Sequence, residues 1–103
     1  MLLSTTDNLE KKYEVLGLVK GNTIQSRHVG RDIMAGFKQI IGGEIKSYTQ
    51  MLDKARQQAV KRMEDEAKEL GADAIIEIRF TTSSIMQAAS EVLAYGTAIK
   101  YLQ

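Results

Sequence analysis

Two hydrophobic periods take turns along the chain. Residues 2–6 form a short β-prone start, closed by the turn signal Asp7-Asn8. Residues 13–19 predict a second strand, with Val15, Gly17 and Val19 on one face and Leu16 and Leu18 on the other. Gly21-Asn22 is expected to end it. From residue 29 the period lengthens: Val29, Ile33, Phe37, Ile40 and Ile41 recur at three- and four-residue spacing, the stripe of an amphipathic helix. Gly30 and Gly36 weaken that helix by about 1 kcal/mol each relative to alanine, and Gly42-Gly43 stops it.

A second, longer helix is expected to start at Ser47, with Gln50 three residues on completing a capping box. Tyr48, Leu52, Ala55, Ala59, Met63, Ala67 and Leu70 make one apolar seam, and Gly71 follows it. Lys61–Asp65, Arg62–Glu66 and Glu64–Lys68 are spaced to pair on the outer surface. Two strands complete the pattern. Residues 74–81 alternate Ile76, Ile78 and Phe80 against Ile75, Glu77 and Arg79. Residues 91–101 set Leu93, Tyr95, Ile99 and Tyr101 against Val92, Ala94, Gly96 and Ala98, and a loop over residues 83–90 joins the two strands. The order β-β-α-α-β-β defines an α+β, two-layer domain over residues 1–103. Its sheet is mostly antiparallel, with two helices on one face.

That arrangement leaves a face to account for. Two helices cover one side of a small sheet, yet the last strands are apolar on both sides, and residues 80–99 contain a single charge, Glu91. The charge-poor connection Ile85-Met86-Gln87-Ala88-Ala89 either folds back over its own core or packs on another copy of the chain. A second copy is the better expectation, since closed symmetry also protects sheet edges, and Met86 is expected at that contact.

Composition narrows the function. At 103 residues, the chain has room for one modest core. With 14 basic against 13 acidic residues and a formal charge of +1, it lacks the footprint of a nonspecific nucleic-acid binder. The long helix is also unlike a compact recognition helix. No run of eighteen apolar residues and no signal segment is present, so a soluble cytoplasmic domain without a membrane partner is expected. There is no cysteine, hence no disulfide framework and no thiolate metal site. The glycines match neither a dinucleotide fingerprint nor a phosphate loop, and no serine stands in a nucleophile elbow. Catalysis is not expected. Ser83-Ser84 read equally well as a hydroxyl pair at a pocket or as ordinary polar residues.

One pair carries metal chemistry. His28 stands four residues before Asp32, so on a helix the two share a face, and a carboxylate can orient an imidazole ligand. A ring of copies would multiply that single histidine around an axis. A helix-start histidine in solvent or in a subunit contact is the competing reading. The five methionines, Met1, Met34, Met51, Met63 and Met86, offer soft thioethers, but Met51 and Met63 fall on or beside the long seam, where packing explains them.

Several segments together resemble the YbjQ family: Arg31-Asp32, Ile41-Gly42-Gly43-Glu44, Tyr48, Leu52 and Ala55-Arg56, then residues 70–75 (Leu-Gly-Ala-Asp-Ala-Ile), and finally Tyr95-Gly96-Thr97-Ala98-Ile99. They run in the family's order over nearly the whole chain. The resemblance implies a dodecin-like subunit of a ring homo-oligomer, a pentamer or a decamer. The family carries a heavy-metal-binding label. Soft heavy metals prefer thiolates, which this chain lacks. A divalent ion bound by His28, Asp32 and further carboxylates is the form of metal site its residues allow.

Overall fold

The computed structural model describes residues 1–26, 43–86 and 89–103. In chain order, its elements are β1 (Leu2–Leu3), β2 (Tyr13–Ser26), α1 (Gly43–Glu69), β3 (Ala74–Met86) and β4 (Ala89–Tyr101). The four strands form one mixed sheet in the order β1-β3-β4-β2. β1 runs parallel to β3, and both other pairings are antiparallel. α1 lies across one face, chiefly over β2 and β4. The fold is therefore α+β, as expected. The helix expected over residues 29–41, with Met34 on it, lies outside the described residues, and α1 is the one helix among those described.

The seam of α1 explains its position. Ala55, Ala59, Met63 and Ala67 are buried against Val19, Ile75, Ile78, Val92, Ala94 and Ala98. Three alanines in that seam bring helix backbone close to sheet. Gly21 is where they touch: a Cβ there would run into the Ala59 carbonyl oxygen and the Met63 amide nitrogen. This overturns the expected end of β2. Gly21 is not a turn but the pad on which α1 rests, and Asn22 behind it continues the strand, so β2 runs on to Ser26. The Thr23 hydroxyl donates to the Ala55 carbonyl 3.1 Å away, fixing the same contact.

Other boundaries also move. α1 starts at Gly43, which places Ser47 inside the helix instead of at its cap. At the other end Leu70 is 48% exposed, past the last seam contact. Lys61 and Asp65 do pair, at 3.7 Å. Arg62 turns away from Glu66 and donates to the Asn22 carbonyl. The expected loop over residues 83–90 is largely strand, because Thr82, Ser83 and Ser84 stay paired with Val92, Glu91 and Ser90. Met86 is the last residue of β3, and β4 begins at Ala89.

Three register shifts, one in β2 and two in β3 (the second between Ser84 and Met86), reset which side chains share a face. Leu16 is left unpaired between Val15↔Ile99 and Gly17↔Ala98, and it packs with the α1-side cluster beside Val19. Gly17 adopts φ +147°, open to glycine and rarely to other residues. In β3 the register breaks between Ile76↔Thr97 and Arg79↔Tyr95, and Glu77 takes φ +53°. Ile75 and Ile78 therefore point together into the α1-side core, while Ile76 points away, against the strict alternation expected. In β4, which has no such break in its own numbering, Val92, Ala94 and Ala98 line one side as the pattern predicts.

Candidate functional site

The sheet face opposite α1 is only partly covered. At one end Ala74, Ile76 and Ile99 form a second small core under Leu9, Tyr13 and Tyr101. The turn after β1 supplies that cover: Leu9 N donates to the Asp7 carbonyl, the Tyr13 hydroxyl reaches the same oxygen at 3.1 Å, and Lys11 Nζ sits 4.7 Å over the Tyr101 ring. Beyond it the face is bare among the described residues. Val15, Leu18 and Ile24 are 64%, 69% and 56% exposed.

Where cover gives way to bare face, there is a shallow depression of about 340 Å³, lined by Leu18, Glu77, Arg79, Tyr95, Gly96 and Thr97. The bulge at Glu77 shapes its floor. The Arg79 guanidinium is pinned by two carbonyls, Thr5 at 3.0 Å and Ile78 at 2.8 Å, both through Nη1. Register places Lys20, Tyr95 and Arg79 in one row across β2, β4 and β3. The site thus offers guanidinium and phenol donors, a threonine hydroxyl, a carboxylate and one apolar wall. It can hold a small polar molecule against a flat surface. It contains no nucleophile with an adjacent base.

His28 and Asp32 lie outside the described residues, so the structure does not bring them to this depression or to any other group. Among the described residues no group of three or more His, Cys, Asp or Glu could hold a metal ion. Four carboxylates are already engaged: Asp73 accepts from the Tyr101 amide at 2.8 Å, Glu91 from Asn22 Nδ2 at 2.9 Å, Asp53 pairs with Arg56 and Asp65 with Lys61. Met63 is fully buried in the core and Met51 half-buried, which accounts for both by packing. The described donor set therefore does not fit a soft heavy metal, whose preferred thiolate is absent from the whole chain. Ser83 and Ser84 are exposed strand residues away from the depression. The sequence pattern missed Glu77, Arg79, Tyr95 and Thr97 as a group. The available signal was the pair Glu77 and Arg79, the charged residues of an otherwise apolar run.

A four-stranded mixed sheet carrying one long helix on one face, with a second face left partly bare among the described residues, defines a small α+β domain. The chain belongs to the YbjQ family: a family model described as "Putative heavy-metal-binding" matches residues 1–102. It is 59% identical over 101 residues to a UPF0145 protein of Dehalococcoides mccartyi, covering 96% of this chain and 97% of that one. A UPF0145 protein of Thermosipho africanus is 52% identical over 102 residues, covering 97% and 94%. Among solved structures, a protein of unknown function from Pediococcus pentosaceus, in the DUF74 family, superposes with a TM-score of 0.70 at 20% identity, covering 99% of this chain and 98% of that chain. That similarity shows the fold. No helix among the described residues is long and apolar enough to cross a membrane.

Proposed function

We propose that this chain is a non-enzymatic cytoplasmic subunit of a closed homo-oligomer, a pentameric ring or a pair of rings forming a decamer. Its subunit contacts create shared pockets for a small ligand or ion. The observation that carries this reading is the bare sheet face, where Val15, Leu18 and Ile24 are each more than half exposed. Shape supports it. The chain extends 57 × 25 × 17 Å with a radius of gyration of 16.8 Å, against about 13 Å for a compact chain of this length. The depression at Arg79 and Tyr95 opens onto that same face, so a neighbouring copy would deepen it. The near-neutral charge gives no reason to add nucleic acid as a partner.

Native mass spectrometry of the purified chain tests the reading directly. A single closed species of five or ten subunits, with any retained small molecule visible as added mass, is the expected spectrum. A stable monomer at micromolar concentration would sink the reading.

The family description favours a second reading, a metal-binding protein using His28 and Asp32. Calorimetric titration with Zn²⁺, Cu²⁺ or Ni²⁺ separates the two. A site built on His28 gives saturable heat that disappears in His28→Ala, whereas identical weak heats in both proteins remove it.

A further inference from the structure

The ladder determines which backbone groups of the two outer strands face away from the sheet. Across β2 and β4, Leu102 N donates to the Lys12 carbonyl, and on the other side of β4, Asp73 N donates to the Ile99 carbonyl. Even-numbered residues of β4 therefore bond towards β2 and odd-numbered ones towards β3. With Val19↔Gly96, Gly21↔Ala94 and Thr23↔Val92 in register, the residues between them, Leu18, Lys20, Asn22 and Ile24, turn their N–H and C=O outward. Arg62 confirms this by reaching the Asn22 carbonyl from outside the ladder. On β3, Arg79, Thr81 and Ser83 face β4, so Phe80 and Thr82 turn outward. Ile78 N, which donates outward to the Ser4 carbonyl, confirms that phase. β1 pairs only with Ala74 and Ile75, and among the described residues no strand pairs with β3 beyond that stretch or with the outer edge of β2.

Side chains decide how these edges can join. The outward residues of β2 stand opposite Thr97, Tyr95, Leu93 and Glu91, on the bare face, whereas Phe80 and Thr82 stand opposite Ala94 and Val92, on the α1 side. Antiparallel joining of β2 to β3 would set outward residue against outward residue and turn one copy's sheet over. In a parallel ladder each outward residue bonds to the two residues flanking the one opposite it. Lys20 then faces an inward residue of β3 such as Thr81, and every α1 stays on the same side. Direction agrees: β2 and β3 both run antiparallel to β4, so a copy rotated about an axis along the strands presents β3 parallel to its neighbour's β2.

We propose that β2 of one copy adds in parallel to residues 79–84 of β3 in the next copy, head to tail, extending one sheet around a closed ring. This inference rests on the oligomeric reading above and names the surfaces that join. A β2-to-β2 dimer would also keep the faces matched, but it leaves every β3 edge open; head-to-tail joining uses both edges and removes them on closure. The joined β2 would also wall the Arg79 side of the depression.

Proline tests the edges one at a time, because an outward N–H on an edge strand can be removed without breaking the chain's own ladder. Lys20→Pro and Thr82→Pro are each expected to fall from the wild-type oligomer to a monomer in native mass spectrometry. Mixed at equal concentration they should form a 1:1 heterodimer and nothing larger, since one intact β2 meets one intact β3. A homodimer of Thr82→Pro, or wild-type size for either variant, would overturn the head-to-tail joint. A monomeric wild type overturns the oligomeric reading itself. Amide hydrogen exchange on the wild-type oligomer needs no variant. The Lys20 and Thr82 amides should be protected as strongly as that of Thr81, and fast exchange at Thr82 in the assembled protein would refute the joint.

Discussion

Single residues carry more of this fold than their side chains suggest, and Gly21 is the clearest case. Its missing side chain lets the backbone of α1 lie on β2 at Ala59 and Met63. A methyl group there cannot be absorbed by rotating a side chain, because it meets main-chain atoms. Gly21→Ala is expected to cost about 2–3 kcal/mol, at the upper end of overpacking penalties, read as a lower urea midpoint with unchanged slope. A loss below about 0.5 kcal/mol would show that α1 shifts freely over β2. From sequence alone the same glycine reads as a strand terminator, since Gly-Asn is a turn pair wherever nothing larger presses on it. The burial of Ala55, Ala59, Met63 and Ala67 was legible, because a 3.6-residue seam depends only on the helix itself.

At the scale of elements, the bulges separate what could be read from what could not. The period-two pattern of β4 identified its two faces, since its own numbering is unbroken. β2 carries one extra residue and β3 two, the first of them at Glu77, and after each one every side chain changes sides. Nothing in the run of apolar residues at 74–78 marks Glu77 as that residue. Only its positive φ does so, and a glutamate there spends energy on a conformation that side chains disfavour. Glu77→Val should cost about 1–3 kcal/mol, because a β-branched residue fits that backbone poorly, whereas Glu77→Gly should be close to neutral. Equal losses for both would place the cost in the carboxylate and not in the bulge. The depression depends on the same irregularity, which is why Arg79, Tyr95 and Thr97 could not be grouped from spacing. His28 and Asp32 illustrate the converse. Their i,i+4 spacing is legible in the chain, but a site needs placement in space, and both lie outside the described residues.

The whole molecule is a slab, and a slab of this size has two faces but only one helix, among its described residues, to cover them. A single layer of α1 shields the side of Val19, Val92 and Ala98, and the turn after β1 shields one end of the other side. The remainder, from Leu18 to Ile24, faces solvent in the isolated chain. The absence of charge over residues 80–99, apart from Glu91, pointed to an apolar surface around the connection of the last two strands, whereas the exposed apolar residues of this face, Val15, Leu18 and Ile24, belong to β2. If other copies supply the missing cover, folding and assembly are linked, and stability must depend on concentration as it cannot for a monomer. Raising the protein concentration a hundredfold should add about 2 kcal/mol of apparent stability per chain, because each folded chain then gains RT ln 100, less the share that a closed ring of n copies saves. Urea midpoints measured at 1 and 100 µM check this. Coincident curves would mean that the bare face, exposed as it is, does not hold the molecule together.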